Sequence, residues 1–270
     1  MGSLEPFFRR VAIVGFGLIG GSIAQAAARR WPAIEIVAID RGAGLAGAAG
    51  ADLVILAAPV RANVAILGEL PRYLDKGTLV TDVGSTKREI VAAAETMSLG
   101  RFTGGHPMAG AERGGVGHAR PDLFAGRQWI LTPSPGTGEG LERIEQFIGG
   151  LGGVAHVMSP ELHDRLVGAV SHLPQLTISA LMHVVGTLGG DAGLELAGSG
   201  LVHSTRLAGS PAGIWKDIAA TNQDHLREGL GALIATLTEL RDSLGSGQAI
   251  DDVFTSACRW RDALDKARGR

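Results

Sequence analysis

Val11-Ala12-Ile13-Val14-Gly15-Phe16-Gly17-Leu18-Ile19-Gly20 decides how the rest of the chain is read. Val11 to Val14 is a short apolar run ending in glycines, the pattern of a buried parallel strand. The glycines that follow match G-x-G-x-x-G. Gly15 permits a tight turn, Gly17 lets backbone approach a pyrophosphate, and Gly20 allows close packing of helix on strand. Ile19 to Arg30 then carries small and apolar residues at helical spacing until Pro32 stops it. A helix opening at this point presents free N–H groups and a positive dipole end to phosphates. The glycine motif is weak alone, but here it follows a strand, opens a helix and sits near the N-terminus. Gly15, Phe16, Gly17, Leu18, Ile19 and Gly20 are therefore the expected pyrophosphate turn of an NAD(P)-dependent oxidoreductase.

Working outward, Ile34 to Ile39 is a second strand ending in Asp40, where a carboxylate can bind the ribose 2′-hydroxyl and favours NAD. Arg41 beside it would suit the 2′-phosphate of NADP instead. Only eleven residues, Arg41 to Ala51, precede Asp52 and the third strand, Leu53 to Ala57. That is close to the minimum for a parallel crossover and predicts an open adenine side. Ala58 and Pro59, closing the third strand, join the expected cofactor site. Helices are expected over 62–70, 86–95 and 140–149, and strands over 78–83, 102–105, 128–132 and 153–157. Alternation of this kind implies a parallel, doubly wound α/β sheet. From Ser159 onward apolar residues recur only at helical spacing, through 160–189, 190–208, 211–243 and 249–267. Ser159-Pro160-Glu161 fits an N-cap with proline at the first helical position. The expected domains are 1–157, binding a dinucleotide, and 158–270, all helical.

The bulk numbers narrow the function. A net charge of −2 without a Lys/Arg run gives no electrostatic case for nucleic acid or an anionic membrane. The longest apolar runs are too short to span a bilayer, and residues 1–10 show no signal-peptide h-region. Cys258 is the single cysteine, so no intrachain disulfide forms. A cytoplasmic protein is expected.

Candidate chemistry gathers in four places. Ser85, in Asp82-Val83-Gly84-Ser85-Thr86-Lys87, follows the fourth strand, where ligands bind in such sheets; it reads as a site hydroxyl, as the N-cap of the next helix, or as both. His106, in Gly104-Gly105-His106-Pro107, follows a strand among glycines and suits a general base taking a hydroxyl proton during hydride loss. His172, in Ser171-His172-Leu173-Pro174, lies beside a helix-kinking proline, eleven positions after Glu161 and so on its helical face; site and packing roles are both open. Arg206, among small and apolar residues, reads as a buried cation for a substrate carboxylate or as a partner of Asp217 or Glu195. His163 and Asp164 are adjacent but have no third ligand at a metal-site spacing, and no metal is expected.

Together these residues resemble the prephenate/arogenate dehydrogenase family of tyrosine biosynthesis. The blocks that carry the resemblance are VGFGLIGGSIA at 14–24, ADLVILAAPV at 51–60, TDVGSTK at 81–87, GGHPMAGAERGG at 104–115, HDRLVGAVSHLP at 163–174 and STRLAGSPAGIWKDIAATN at 204–222. The resemblance implies a Rossmann-like N-terminal domain, a helical homodimerisation domain and an active site between them. It also implies oxidation of prephenate or arogenate, with CO2 lost as the ring becomes aromatic. By resemblance His106 accepts the 4-hydroxyl hydrogen bond, Ser85 orients both, and Arg206 binds a substrate carboxylate. His172 lines the substrate pocket and Glu112 closes the entrance loop. Gln175, where many members carry His, bears on side-chain selectivity. Val202 and His203 stand where many members have a charged pair. One rival reading is another dehydrogenase of the same architecture, which would not explain H-P-x-x-G-x-E followed by S-H-L-P and T-R-x-A. The other is a non-catalytic NAD-binding regulatory protein, against which His106, Ser85 and Arg206 together argue.

Overall fold

A computed structural model describes residues 7–110 and 114–269. The first strand, β1 (Arg10–Val14), is followed by α1 (Leu18–Arg30), β2 (Glu35–Ile39), β3 (Leu53–Leu56), α2 (Val60–Glu69) and β4 (Leu79–Asp82). Then come α3 (Arg88–Thr96), β5 (Phe102–Pro107), β6 (Gln128–Pro133), α4 (Glu139–Gly150) and β7 (Val154–Val157). The strands form one sheet in the order β2-β1-β3-β4-β5-β6-β7. After β2 the chain crosses back over β1 to place β3 on its other side. The strand order therefore reverses at β1, and the crevice beyond its C-terminal end is where open α/β sheets bind ligands.

Sequence periodicity implied a sheet parallel throughout, and the structure corrects this at one pair. β5 and β6 run antiparallel, with His106 opposite Ile130, while β6 and β7 are again parallel. A parallel neighbour needs a crossover along the sheet face. The segment after β5 does not cross back; it docks on α1, where the Arg120 N–H donates to Ser22 Oγ at 3.0 Å. Glycine 21 admits this contact, since a Cβ there would lie 3.0 Å from the Ala119 side chain.

The sheet is buried between two apolar layers. One holds Phe8, Ile23, Trp31, Ile55 and Phe147, with Trp31 stacked on Phe147 at 5.3 Å. The other holds Leu56, Leu67, Val80, Ile90 and Phe102. The short 41–51 connection carries only a 3₁₀ turn, Ala46–Ala48.

Beyond the sheet, α5 (Pro160–Val167) starts at the expected cap: Ser159 Oγ accepts from the Leu162 N–H at 3.2 Å. It runs into a π-turn, Gly168–His172, where the Leu173 N–H bonds back to the Gly168 carbonyl. Pro174 lacks an N–H, and the wider turn accommodates that loss. Then α6 (Leu173–Glu195) follows, kinked at Gly190 (φ 55°). The expected helix over 190–208 is broken: α7 spans only Ser199–Ser204, and Arg206–Gly209 is a 3₁₀ turn. α8 (Ala212–Thr221) completes a compact unit ending at Gln223. A second unit, from Asp224, holds α9 (Gln223–Asp242) and α10 (Gln248–Ala267). Its surface exposes Ile234, Leu237, Phe254, Trp260 and Leu264. No described helix is long and apolar enough to cross a membrane.

Candidate active site

The glycine turn is built as its sequence requires. Gly15 adopts φ 100°, and its N–H bonds the Ile39 carbonyl at 2.8 Å. A Cβ on Gly15 would lie 2.7 Å from Ala57 backbone, and one on Gly20 would lie 2.2 Å from the Gly15 carbonyl oxygen. At Gly17 a Cβ would meet nothing within 4 Å. Gly15 and Gly20 thus close the turn on itself, and Gly17 faces open space that a dinucleotide would fill. No side chain caps α1, so its N–H groups remain available to phosphate oxygens. These residues fit a dinucleotide. Phe16 packs against the core and does not line the adjoining cavity. Asp40 and Arg41 stand exposed just after β2, with Asp40 Oδ1 accepting the Arg41 N–H at 2.8 Å.

A cavity of about 680 Å³ opens from this turn. Gly17, Leu18, Ile19, Ala58 and Pro59 line one side; Ser85, His106 and Pro107 line the sheet end; His172, Ser210, Pro211 and Trp215 line the helical side. The sequence-predicted residues Ser85, His106 and His172 are therefore brought together. A second cavity of about 550 Å³ lies near the start of β4 and β5, by Lys76, Arg101 and Gly138, at the opposite end of these strands.

His106 lies within β5, not after it, because the strand extends to Pro107. Its position is set by a buried ion pair at the end of β4. Asp82 accepts from Lys87 Nζ, from the Gly84 N–H at 2.7 Å and from the Gly105 N–H at 3.0 Å. Lys87 Nζ also donates to the Gly105 carbonyl at 2.7 Å. Both backbone groups of the residue before His106 are thus clamped by this pair. Burial lowers the Lys87 pKa, and the Asp82 carboxylate opposes that shift. A Cβ at Gly105 would lie 2.5 Å from the Asp82 carbonyl oxygen, so only glycine lets the strands approach here.

Ser85 is not a helix N-cap. α3 begins three residues later, and its first amides are capped from α5: the Lys87 and Arg88 N–H groups donate to Asp164 at 2.7 and 3.0 Å. Asp164 Oδ1 also accepts from His163 Nδ1 at 2.7 Å, and His163 Nε2 meets His106 Nδ1 at 2.8 Å. The sequence marked His163 and Asp164 only as an incomplete metal pair. Among the described residues there is no metal-binding group, and the pair instead leads to the candidate base. Burial, with His163, Lys87 and His172 adding like charge, pushes the His106 pKa well below its ordinary value. The ring is neutral near pH 7 and can accept a proton.

His172 is buried, and the π-turn sets its aim. Asn222 Nδ2 donates to the Asp164 carbonyl at 2.8 Å, and Asn222 Oδ1 accepts from Arg88 Nη2 at 3.1 Å. That fixes the amide, so Nδ2 also donates to His172 Nδ1 at 3.2 Å. Burial drives the His172 pKa down to about 4, so the proton of the neutral ring is on Nε2, a hydrogen-bond donor for the cavity. Trp215 packs edge-on against the ring. Glu161 does not share this face: it is exposed and pairs with Arg88 at 3.5 Å. The π-turn between them breaks the eleven-residue alignment.

Two further expected site residues stand outside the cavity lining. Arg206 is exposed on its 3₁₀ turn, not buried, and does not line the cavity. Gln175 is buried: its amide donates to the Leu207 carbonyl at 2.7 Å and to Ser179 Oγ at 3.2 Å, and its oxygen accepts from the cavity-lining Ser210 at 3.4 Å. Glu112 lies outside the described residues. Sequence reading passed over Asp82, Lys87 and Asn222, and considered the His163–Asp164 pair only for a metal. Their only signal was that each falls inside a quoted block that also holds a chosen residue.

A glycine turn at a sheet switch point, opening onto a cavity with neutral buried histidines, defines a dehydrogenase of the doubly wound class. Family models for the prephenate dehydrogenase nucleotide-binding domain and dimerization domain match residues 15–157 and 159–255. The chain is 31% identical to the prephenate dehydrogenase of Bacillus subtilis over 94% of its own length and 76% of that protein. A prephenate dehydrogenase from A. aeolicus, solved with hydroxyphenyl propionate and NAD+, superposes with a TM-score of 0.84 at 28% identity, covering 97% of this chain and 100% of that one. Synechocystis arogenate dehydrogenase gives 0.79 at 27% identity, covering 94% and 99%. The chain belongs to the prephenate dehydrogenase family.

Proposed function

We propose that the protein oxidises prephenate to 4-hydroxyphenylpyruvate, with CO2 lost as the ring becomes aromatic. Arogenate, with an amino group in place of the side-chain keto group, is the alternative substrate and would yield tyrosine directly. One observation carries the reading: a neutral, buried His106 lines the same cavity as the dinucleotide turn, three strands along the sheet from β1. NAD is the proposed cofactor, supported by Asp40 just after β2; Arg41 beside it keeps NADP as the alternative. When bound, the nicotinamide supplies the acceptor for the hydride leaving C4.

The chain's own residues then have separate tasks. His106 takes the 4-hydroxyl proton as the C4 carbonyl forms, and returns it to the phenolic oxygen once decarboxylation drives electrons onto the ring. Ser85, on the cavity wall, orients that hydroxyl. His172 donates Nε2–H to a substrate oxygen. Arg206 is assigned the substrate carboxylate, a role that needs its side chain to turn from its exposed position to the cavity rim. Gln175 acts at one remove, holding Leu207 and Ser210. Glu112 is assigned to the entrance loop. Aromatisation supplies the driving force, so orientation and polarisation are what remain for the protein.

In this reading residues 1–157 hold the cofactor, while 158–270 close the substrate side and pair with a second copy in a cytoplasmic homodimer. Turnover measured with prephenate and arogenate, each with NAD and NADP, tests it. Reduced cofactor formed with one or more of the four pairs is the expected result. Cofactor binding without turnover in all four would favour a regulatory, non-catalytic protein.

A further inference from the structure

Asp164, His163 and His106 form a continuous buried line, and the donors around Asp164 fix every proton on it. Asp164 accepts from the Lys87 N–H, the Arg88 N–H and Arg88 Nε. Burial alone would raise the Asp164 carboxyl pKa, but hydrogen bonds from His163, Arg88 and Lys87 outweigh it and hold the group ionised. An ionised carboxylate only accepts, so His163 carries its proton on Nδ1. Burial keeps His163 neutral against the pull of Asp164. Its Nε2 is therefore a lone pair, and the 2.8 Å contact requires His106 to donate through Nδ1–H. That leaves the lone pair of His106 on Nε2.

We propose that His163, oriented by Asp164, is a positioning residue that fixes the tautomer of His106 and is the second station for the proton His106 takes from the substrate hydroxyl. The proposal rests on His106 being the base. When the 4-hydroxyl proton reaches Nε2 of His106, the Nδ1 proton of that ring passes to Nε2 of His163. His106 is then neutral with its proton on Nε2, and the positive charge rests on His163 against the Asp164 carboxylate. The reverse shift returns a proton to the phenolic oxygen. Only O–H and N–H bonds form and break, and no net proton is consumed.

The surroundings favour this direction. Lys87 opposes a proton on either ring, but the causes acting on His106 all lower its pKa, whereas His163 has the hydrogen-bonded Asp164 and the charge of Asp82 in its favour.

His163→Gln separates the two roles. Its amide oxygen can still accept from His106 Nδ1–H and its NH2 can donate to Asp164, so the tautomer is kept, but it cannot take a proton. We expect kcat to fall about tenfold or more, with KM and cofactor affinity unchanged. We also expect the acid limb of the kcat profile to move to lower pH, because His106 alone remains to be protonated. Unchanged kcat, or a lower kcat with the limb at its wild-type position, would overturn the relay. His106→Asn in the same assay distinguishes the failures. Near-normal turnover there removes the base and the relay together; an inactive His106→Asn beside an unaltered His163→Gln removes the relay alone. Ring-nitrogen NMR of the wild-type protein is independent of how the variants fold. Both histidines are expected as Nδ1–H tautomers in the resting enzyme, and an Nε2–H tautomer at either overturns the proposal.

Discussion

His172, on the π-turn, remains neutral in the fold down to about pH 4, whereas in the unfolded chain it titrates near 6.5. Between those values the unfolded state binds a proton that the folded state refuses, so stability is full above pH 6.5 and falls as the pH drops. The whole shift corresponds to roughly 3 kcal/mol. His106 and His163, both lowered, add to the same slope. Thermal melts from pH 7 to 4.5 should show a falling Tm, with a shallower fall in His172→Gln; a flat profile would contradict the buried neutral ring. Lys87 makes a second test at this scale. Lys87→Met leaves Asp82 buried with two backbone donors and no counter-ion, and should cost roughly 3–5 kcal/mol in denaturant titrations.

At the scale of elements, the β1 turn separates folding from binding. Gly20→Ala places a methyl group 2.2 Å from the Gly15 carbonyl oxygen and should lower Tm by more than about 5 °C. Gly17→Ala meets nothing within 4 Å, so Tm should stay put while dinucleotide affinity weakens about tenfold or more. Equal loss of Tm in both variants would contradict this division. The turn was legible in the sequence because glycine spacing reports backbone geometry directly. His106 was legible from its glycine neighbours and its place by a strand end. The β5–β6 reversal was not, since hydrophobic periodicity carries no strand direction. The π-turn also escaped, and with it the misalignment of Glu161 and His172, because helical counting assumes an unbroken period. His163 and Asp164 acquire meaning only from His106, 57 positions away in sequence. No local pattern encodes that contact. Arg206 illustrates the opposite error: small, apolar neighbours suggested burial, but a 3₁₀ turn leaves it exposed.

For the whole molecule, the apolar residues of the second unit need a cover. Phe254 and Trp260 on α10 are 64% and 66% exposed, more than an isolated soluble chain usually leaves in one region. If a second copy covers them, sedimentation should give a dimer for the wild type and a shift toward monomer for Phe254→Glu with Trp260→Glu. A monomeric wild type would contradict the dimer. The central claim concerns the cavity that joins the dinucleotide turn to β5. It is tested most directly by kcat and cofactor affinity of His106→Asn beside the wild type, with the substrate the wild type turns over. The account predicts a loss of about two orders of magnitude or more in kcat with cofactor affinity retained. Near-normal turnover in that variant would contradict it.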